Sequence, residues 1–260
     1  MLTAESLTLG YENNTIIESL NLNITKGSFT VLVGSNGCGK STLLKGLSHL
    51  IRASKGSVLL FNEEMEGLSR KTIARQLGIL PQNPQTPEGL TVEELVRQGR
   101  YAHHGFFPKW NEGDRKTVRE ALSICDLNDI KHCNINNLSG GQKQRAWIAM
   151  ALAQESEILM MDEPTSALDL KYQIEILDLL KKLNRDGRTI ILVLHDINMA
   201  CRYANHIIAM KEGRIIKVGH PKDVVDHLFI QEVFSLKAHI IDDPITNTPL
   251  IIPVGSVFRI

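Results

Sequence analysis

The stretch Gly34 to Thr42, GSNGCGKST, constrains this chain more than any other. It matches the phosphate-loop pattern GxxxxGK[ST] in full, follows an apolar run from Phe29 to Val33 and leads into a helical stretch, STLLKGLSHL. A strand, a Gly-rich turn and a helix in that order open an α/β core. Gly34, Gly37 and Gly39 permit backbone angles that aim N–H groups inward at phosphate oxygens, and Ser35, Asn36 and Cys38 complete the loop. The helix beginning near Lys40 adds its positive N-terminal dipole. Lys40 brings a cation to β- and γ-phosphates, Ser41 brings a hydroxyl to Mg²⁺, and Thr42 ends the motif. ATP with Mg²⁺ is the implied ligand.

A second element, ILMMDEP, runs from Ile158 to Pro164. Four apolar residues read as a strand buried on both faces, and Asp162 at its end is placed to serve the Mg²⁺ shell. Glu163 follows and can polarise an attacking water as general base. TIILVL is a second fully buried strand, followed by His195. These runs predict a parallel-sheet core.

Around that core the pattern changes twice. LTAESLTL and LNLNI alternate as antiparallel strands, so an N-terminal β subdomain precedes the loop. The middle of the chain reads as mostly helical, with Thr91 and Glu94 at capping-box spacing and helical patterning from Arg115 to Cys125 and again after Gly141. One domain over 1–260 follows, with core and β subdomain in 1–83 and 156–260 and a helical insertion in 84–155. Leu170, Ile174, Leu177 and Leu180 mark one stripe of an amphipathic helix. NHIIAMKEGRIIKVG reads as a hairpin turning at Glu212-Gly213, and DDPITNTPLIIPVG as an edge strand with turns.

Composition narrows the setting. Lys and Arg number 29 and Asp and Glu 29, so no net field points to nucleic acid, and no such partner is expected. No apolar run approaches the ~18 residues of a spanning helix, Ile190 to Leu194 being one of the short ones. The N-terminus has no signal-peptide pattern. Cys38, Cys125, Cys133 and Cys201 form no CxxC pair and read as free buried thiols. His103 with His104, and His132 beside Cys133, lack ligand spacing and read as loop surface, so no transition metal is assigned.

The pentapeptide LSGGQ, Leu138 to Gln142, arises by chance at roughly 10⁻⁴ over a chain of this size. Ser139 can cap a helix whose first turn holds Gly140 and Gly141, presenting a hydroxyl and bare N–H groups to an anion. Here the chain resembles the ABC ATPases, whose signature this motif is similar to. The resemblance covers nearly the whole chain. It implies a RecA-like core, and a signature (Leu138, Ser139, Gly140, Gly141, Gln142) that contacts the γ-phosphate held by a second copy in a head-to-tail ATP sandwich. It also implies that Tyr11 stacks on adenine, that Gln82 touches Mg²⁺ and the membrane partner, that Ser166, Ala167, Leu168 and Asp169 form a dimer-contact loop, and that His195 senses the γ-phosphate.

Function follows by the same resemblance. DNA-maintenance relatives carry long coiled coils between loop and signature, whereas Lys40 and Ser139 lie 99 positions apart. Translation relatives usually carry two cassettes, and this chain has one. VRQGRYAHHGFFPKW, AWIAMALAQ, LDLKYQIEILDLL and the tail resemble the iron–siderophore importer ATPases. That implies an ATPase at the cytoplasmic face of the membrane, driving separate permease subunits served by a substrate-binding protein. Cobalamin or haem import is the neighbouring alternative.

Overall fold

Alternation at the N-terminus builds the first sheet of the computed structural model, which describes residues 1–257 apart from 13, 83, 86, 87, 106–109 and 167. Strand β1 (Leu2–Tyr11) pairs antiparallel with β2 (Asn14–Ile24), from Leu2 opposite Ile24 to Tyr11 opposite Asn14. Leu2, Ala4, Leu7 and Leu9 are all buried, although the first two are even-numbered and the last two odd. Ser6, at φ 47°, sits where the register shifts, and this bulge returns apolar side chains to the inner face. β3 (Phe29–Gly34) is buried along its whole length, and α1 (Lys40–Leu47) follows the loop. β4 (Lys55–Leu60) and β5 (Glu63–Glu64) extend the first sheet in the order β2-β1-β4-β5.

The chain divides into two compact units, Met1–Gly67 with Thr189–Ile260, and Leu68–Arg188. The second holds α2 (Arg70–Gln76), β6 (Leu77–Leu80), α3 (Val92–Gln98), α4 (Glu112–Ile124), α5 (Gly140–Ala153), β7 (Ile158–Asp162) and α6 (Leu170–Arg185). Within it, β6 pairs in parallel with β7 and α2 leads directly into β6. Thr91 and Glu94 cap α3 reciprocally, and Asn111 and Asp114 do the same for α4. On α6, Leu177 and Leu180 are buried with Ile176 and Leu183, but Leu170 is 65% exposed at the first turn. The expected stripe was one turn too long.

A buried ion pair ties this unit together. Arg100 donates through Nε to Asp114 Oδ1 at 3.0 Å, and through Nη1 to the Ala153 carbonyl at 2.8 Å and Glu155 Oε2 at 2.5 Å. Burial works to raise the Asp114 carboxyl, but the Asn111 N–H and the Arg100 guanidinium hold it below the usual range. His104 lies 3.7 Å from Asp114 with a side chain only 10% exposed, and His103 Nε2 is 2.8 Å from the Gln154 carbonyl. The adjacent histidines are therefore not loop surface, because Asp114 and the end of α5 draw them inward. His132 is exposed.

The first unit then resumes with β8 (Thr189–Val193), α7 (Ile197–Tyr203), β9 (His206–Lys211), β10 (Arg214–Gly219), α8 (Pro221–Val224) and α9 (His227–Phe234). β3 pairs in parallel with β8 on one side and β9 on the other, and β10 closes antiparallel on β9 at the expected Glu212-Gly213 turn. The tail holds two strands, β11 (Leu236–Asp242) and β12 (Pro249–Ser256), paired with each other in a separate sheet. Asn198 on α7 bonds both backbone groups of Ile251, which anchors β12. Cys38, Cys125 and Cys201 are buried as expected, whereas Cys133 is exposed. Burial pushes the Cys125 and Cys201 thiols up to about 12. Among the described residues, no helix is long and apolar enough to cross a membrane.

Candidate functional site

The phosphate loop leaves β3 at Gly34, whose added Cβ would stand 2.2 Å from the Met210 carbonyl oxygen of β9. Only glycine fits that approach. Gly37 and Gly39 have φ of 76° and 105°. Ser35, Asn36 and Gly37 are exposed, whereas Cys38, Gly39, Lys40 and Thr42 are buried and Ser41 is half-buried. A buried ammonium needs acceptors, and Lys40 Nζ donates to the Gly34 and Ser35 carbonyls, each at 2.9 Å. Gly39 occupies the N-cap of α1 and supplies no side-chain cap to the first turn. That end suits an anion.

Two other residues in this unit stand near strand ends. Tyr11 ends β1 and is 45% exposed, so its ring is accessible for stacking. His195 follows β8 and is exposed, and Asp196 beside it caps α7 through the Asn198 and Met199 N–H groups at 2.8 and 3.1 Å. Nothing in the sequence singled out Asp196, although an Asp ahead of an apolar helical run is a cap signal.

In the other unit, Asp162 ends β7 with 5% exposure. Glu163 is half-buried at φ 53°, a left-handed conformation that costs about 1–2 kcal/mol for a side chain of this kind. Ser166 stabilises the turn by donating to the Glu163 carbonyl through both N–H (3.1 Å) and Oγ (2.9 Å). Gln82 donates through Nε2 to Glu163 Oε2, so two residues 81 positions apart in the sequence meet. The left-handed turn thus aims a carboxylate out of the strand end at a group on the Gln82 segment.

The signature turn is finished by its own side chains. Ser139 Oγ accepts from the Gln142 N–H at 3.3 Å, and Gln142 Oε1 accepts from the Ser139 N–H at 3.0 Å, a complete capping box at the start of α5. The S-x-x-Q spacing carried that signal, and the sequence reading gave Gln142 no such part. Cβ atoms added to Gly140 and Gly141 would lie 3.3 Å from Leu168 Cδ2 and 2.9 Å from the Tyr172 ring. The turn therefore packs against the start of α6, and Tyr172 is a neighbour the sequence did not flag. Leu168 is half-buried, Asp169 takes the N-cap position of α6 without a side-chain bond, and Ala167 lies outside the described residues.

A family model described as ABC transporter matches residues 17–166. The chain belongs to the ABC transporter family. The cassette is 47% identical over 255 residues to the ferric enterobactin transport ATP-binding protein FepC of Escherichia coli (strain K12), covering 98% of this chain and 94% of FepC. It is 46% identical over 250 residues to the iron(3+)-hydroxamate import ATP-binding protein FhuC of Bacillus subtilis (strain 168), covering 96% and 93%. Among solved structures, an inward-facing ABC transporter described as of metal-chelate type matches with a TM-score of 0.84 at 28% identity, over 98% of this chain and 96% of that one. A dimeric bacterial ABC transporter cassette matches with a TM-score of 0.75 at 33% identity, over 85% and 98%. The fold is that of an ABC cassette with an α/β core, and the chain is an ATP-binding subunit of the transporter ATPase type.

Proposed function

We propose that this cassette hydrolyses ATP to drive uptake of iron(III)–siderophore complexes through a separate permease, as a homodimer at the cytoplasmic face of the membrane. The observation that carries the cargo class is near-full-length identity of close to one half with cassettes named for ferric enterobactin and iron(3+)-hydroxamate import. A substrate-binding protein delivers the chelate to the permease, and the cargo itself does not touch this chain.

The roles are those that the family resemblance implies, and the local geometry supports several of them. The loop from Gly34 to Thr42 holds the phosphates, with Lys40 leaving its own loop carbonyls for β- and γ-oxygens, and Tyr11 stacks on the base. Ser41, Gln82 and the buried Asp162 each offer an oxygen donor of the kind Mg²⁺ prefers, and the ion would supply charge neutralisation for the phosphates. Glu163 orients and deprotonates the attacking water, and Gln82, which already bonds its carboxylate, carries the membrane partner's state to it. His195 senses the γ-phosphate. Ser139 and the start of α5 serve the phosphate held by the second copy, and the 166–169 loop lines that contact.

Reconstitution tests the assignment. Proteoliposomes holding this chain with a ferric-chelate permease and its binding protein should hydrolyse ATP faster when loaded with ferric siderophore. Stimulation by a cobalamin or haem system instead, with none by ferric-chelate systems, would reassign the cargo.

A further inference from the structure

Both ends of the phosphate loop are fixed by one hairpin that carries none of the family's nucleotide motifs. At the entry, Gly34 stands opposite Met210 in the β3–β9 ladder, and its Cα approaches the Met210 carbonyl so closely that a Cβ would lie 2.2 Å from that oxygen. Toward the exit, the Gly213 N–H of the β9–β10 turn donates to the Cys38 carbonyl at 2.9 Å. The Cys38–Gly39 peptide is a planar trans unit, so its N–H points opposite its C=O. Holding the Cys38 carbonyl toward Gly213 therefore aims the Gly39 N–H the other way. The Lys40 bonds to Gly34 and Ser35 lie within the loop and cannot orient that peptide.

Gly213 has no freedom to be another residue. Its φ is 75°, and an added Cβ would stand 1.9 Å from the Ile16 carbonyl oxygen of β2, a backbone atom that no rotamer moves. Ile16 also borders the loop, with Cγ2 3.4 Å from a Cβ built on Gly39, while Gly213 Cα lies 3.6 Å from the same point. Three segments thus meet here: β2 at Ile16, the turn at Gly213 and the loop at Cys38–Gly39. A side chain at Gly213 must push the turn off β2 or withdraw its N–H from Cys38.

We propose that the β9–β10 hairpin is the template that holds the phosphate loop in its nucleotide-binding shape, with Gly213 as the positioning residue. The proposal rests on the reading that Gly34–Thr42 binds the phosphates. Because the contact exists before and during chemistry, its loss weakens ground state and transition state alike, which moves KM and leaves kcat.

The test compares Gly213→Ala with Gly27→Ala, since Gly27 has nearly the same φ, 74°, and nothing within 4 Å of an added Cβ. Gly213→Ala should raise the KM for ATP and the Kd for ADP by about tenfold or more, the scale of one lost hydrogen bond with its displacement, while kcat at saturation stays within about twofold. Gly27→Ala should leave KM and kcat as they are. A merely structural glycine would lower the folded fraction and hence the maximal rate, with KM unmoved, and that result overturns the proposal. Should Gly213→Ala not fold, hydrogen exchange on the unaltered protein decides. Saturating ADP should slow exchange of the Gly213 amide together with the loop amides, by reciprocity of coupling, and an unaffected Gly213 amide refutes it. Lys40→Ala separates the two levels: loss of ADP binding there with none in a folded Gly213→Ala refutes the template alone, whereas unchanged binding in Lys40→Ala refutes the loop reading beneath it.

Discussion

The phosphate loop and the signature turn each end in the start of a helix, α1 and α5, but they are finished in opposite ways. At α1 the N-cap is Gly39 in a left-handed conformation, which supplies no side-chain cap. At α5 the cap is Ser139 with Gln142 in a reciprocal box, a device worth about 0.5–2 kcal/mol to the helix. The first end has no side-chain cap from its N-cap residue and is shaped by backbone contacts. The second is already satisfied by its own chain and offers an anion mainly the Ser139 O–H and its short-range dipole. That difference is what the proposed roles would require, with the loop as the primary phosphate site and the signature turn as a secondary contact to a nucleotide on another copy.

The largest effect that separates chemistry from binding is expected at Glu163. Glu163→Gln should lower turnover by about 10²–10⁴-fold while ATP binding persists, measured as steady-state ATPase against equilibrium nucleotide binding. Native-rate hydrolysis in that variant would remove the general base from Glu163 and leave the left-handed turn without a purpose.

The comparison of the two helix ends is broken most directly by mixing variants. Lys40→Ala should lose about 10–100-fold in ATP affinity, because one charge-assisted contact is removed. Ser139→Arg should bind ATP normally as a monomer yet hydrolyse it poorly. Mixed together, the two inactive proteins should regain part of the wild-type rate, since a mixed dimer pairs one intact loop with one intact signature. A mixture as inactive as its parts would place the signature in service of its own chain.

A smaller effect concerns the scaffold that carries the signature helix. Asp114→Ala leaves the buried Arg100, among the described residues, with the half-exposed Glu155 as its carboxylate partner and should cost about 3 kcal/mol by urea denaturation. The Asp114 carboxyl is held below its ordinary value in the folded state, so its stabilisation is present above the unfolded carboxylate pKa and is lost as pH falls through the folded one. The wild-type protein should therefore weaken in acid below about pH 4 more steeply than Asp114→Ala. Smallest is the thiol count. Cys133 alone should react quickly with a thiol reagent at neutral pH, because Cys125 and Cys201 are buried with thiols pushed up to about 12 and Cys38 is buried in the loop.

Local pattern made most of the fold legible. An apolar run ending in GSNGCGKST, a buried run ending in Asp162, a capping-box pair at Thr91 and Glu94 and a hairpin at Glu212-Gly213 each specify their own backbone within a few residues. What pattern missed was set by partners distant in sequence. His103 and His104 looked like surface because nothing nearby in the sequence announces Asp114 and Gln154 as their neighbours. Leu170 looked like core because its stripe outruns the surface it packs on. The strand β11 was not foreseen, since its pairing with β12 and the anchoring of Ile251 by Asn198 are made only after folding.

Residue type and spacing set the chemistry: which residues carry cation, carboxylate and hydroxyl, and that they are strung on a strand–loop–helix frame. Folding settled how those groups are held. It brought Gln82 onto Glu163, turned Glu163 out of its strand, satisfied Ser139 with Gln142 and braced Cys38 with Gly213. The physical reason is that residue type and spacing encode what a group can do, whereas its aim depends on hydrogen bonds and close backbone contacts that exist only once remote segments are packed.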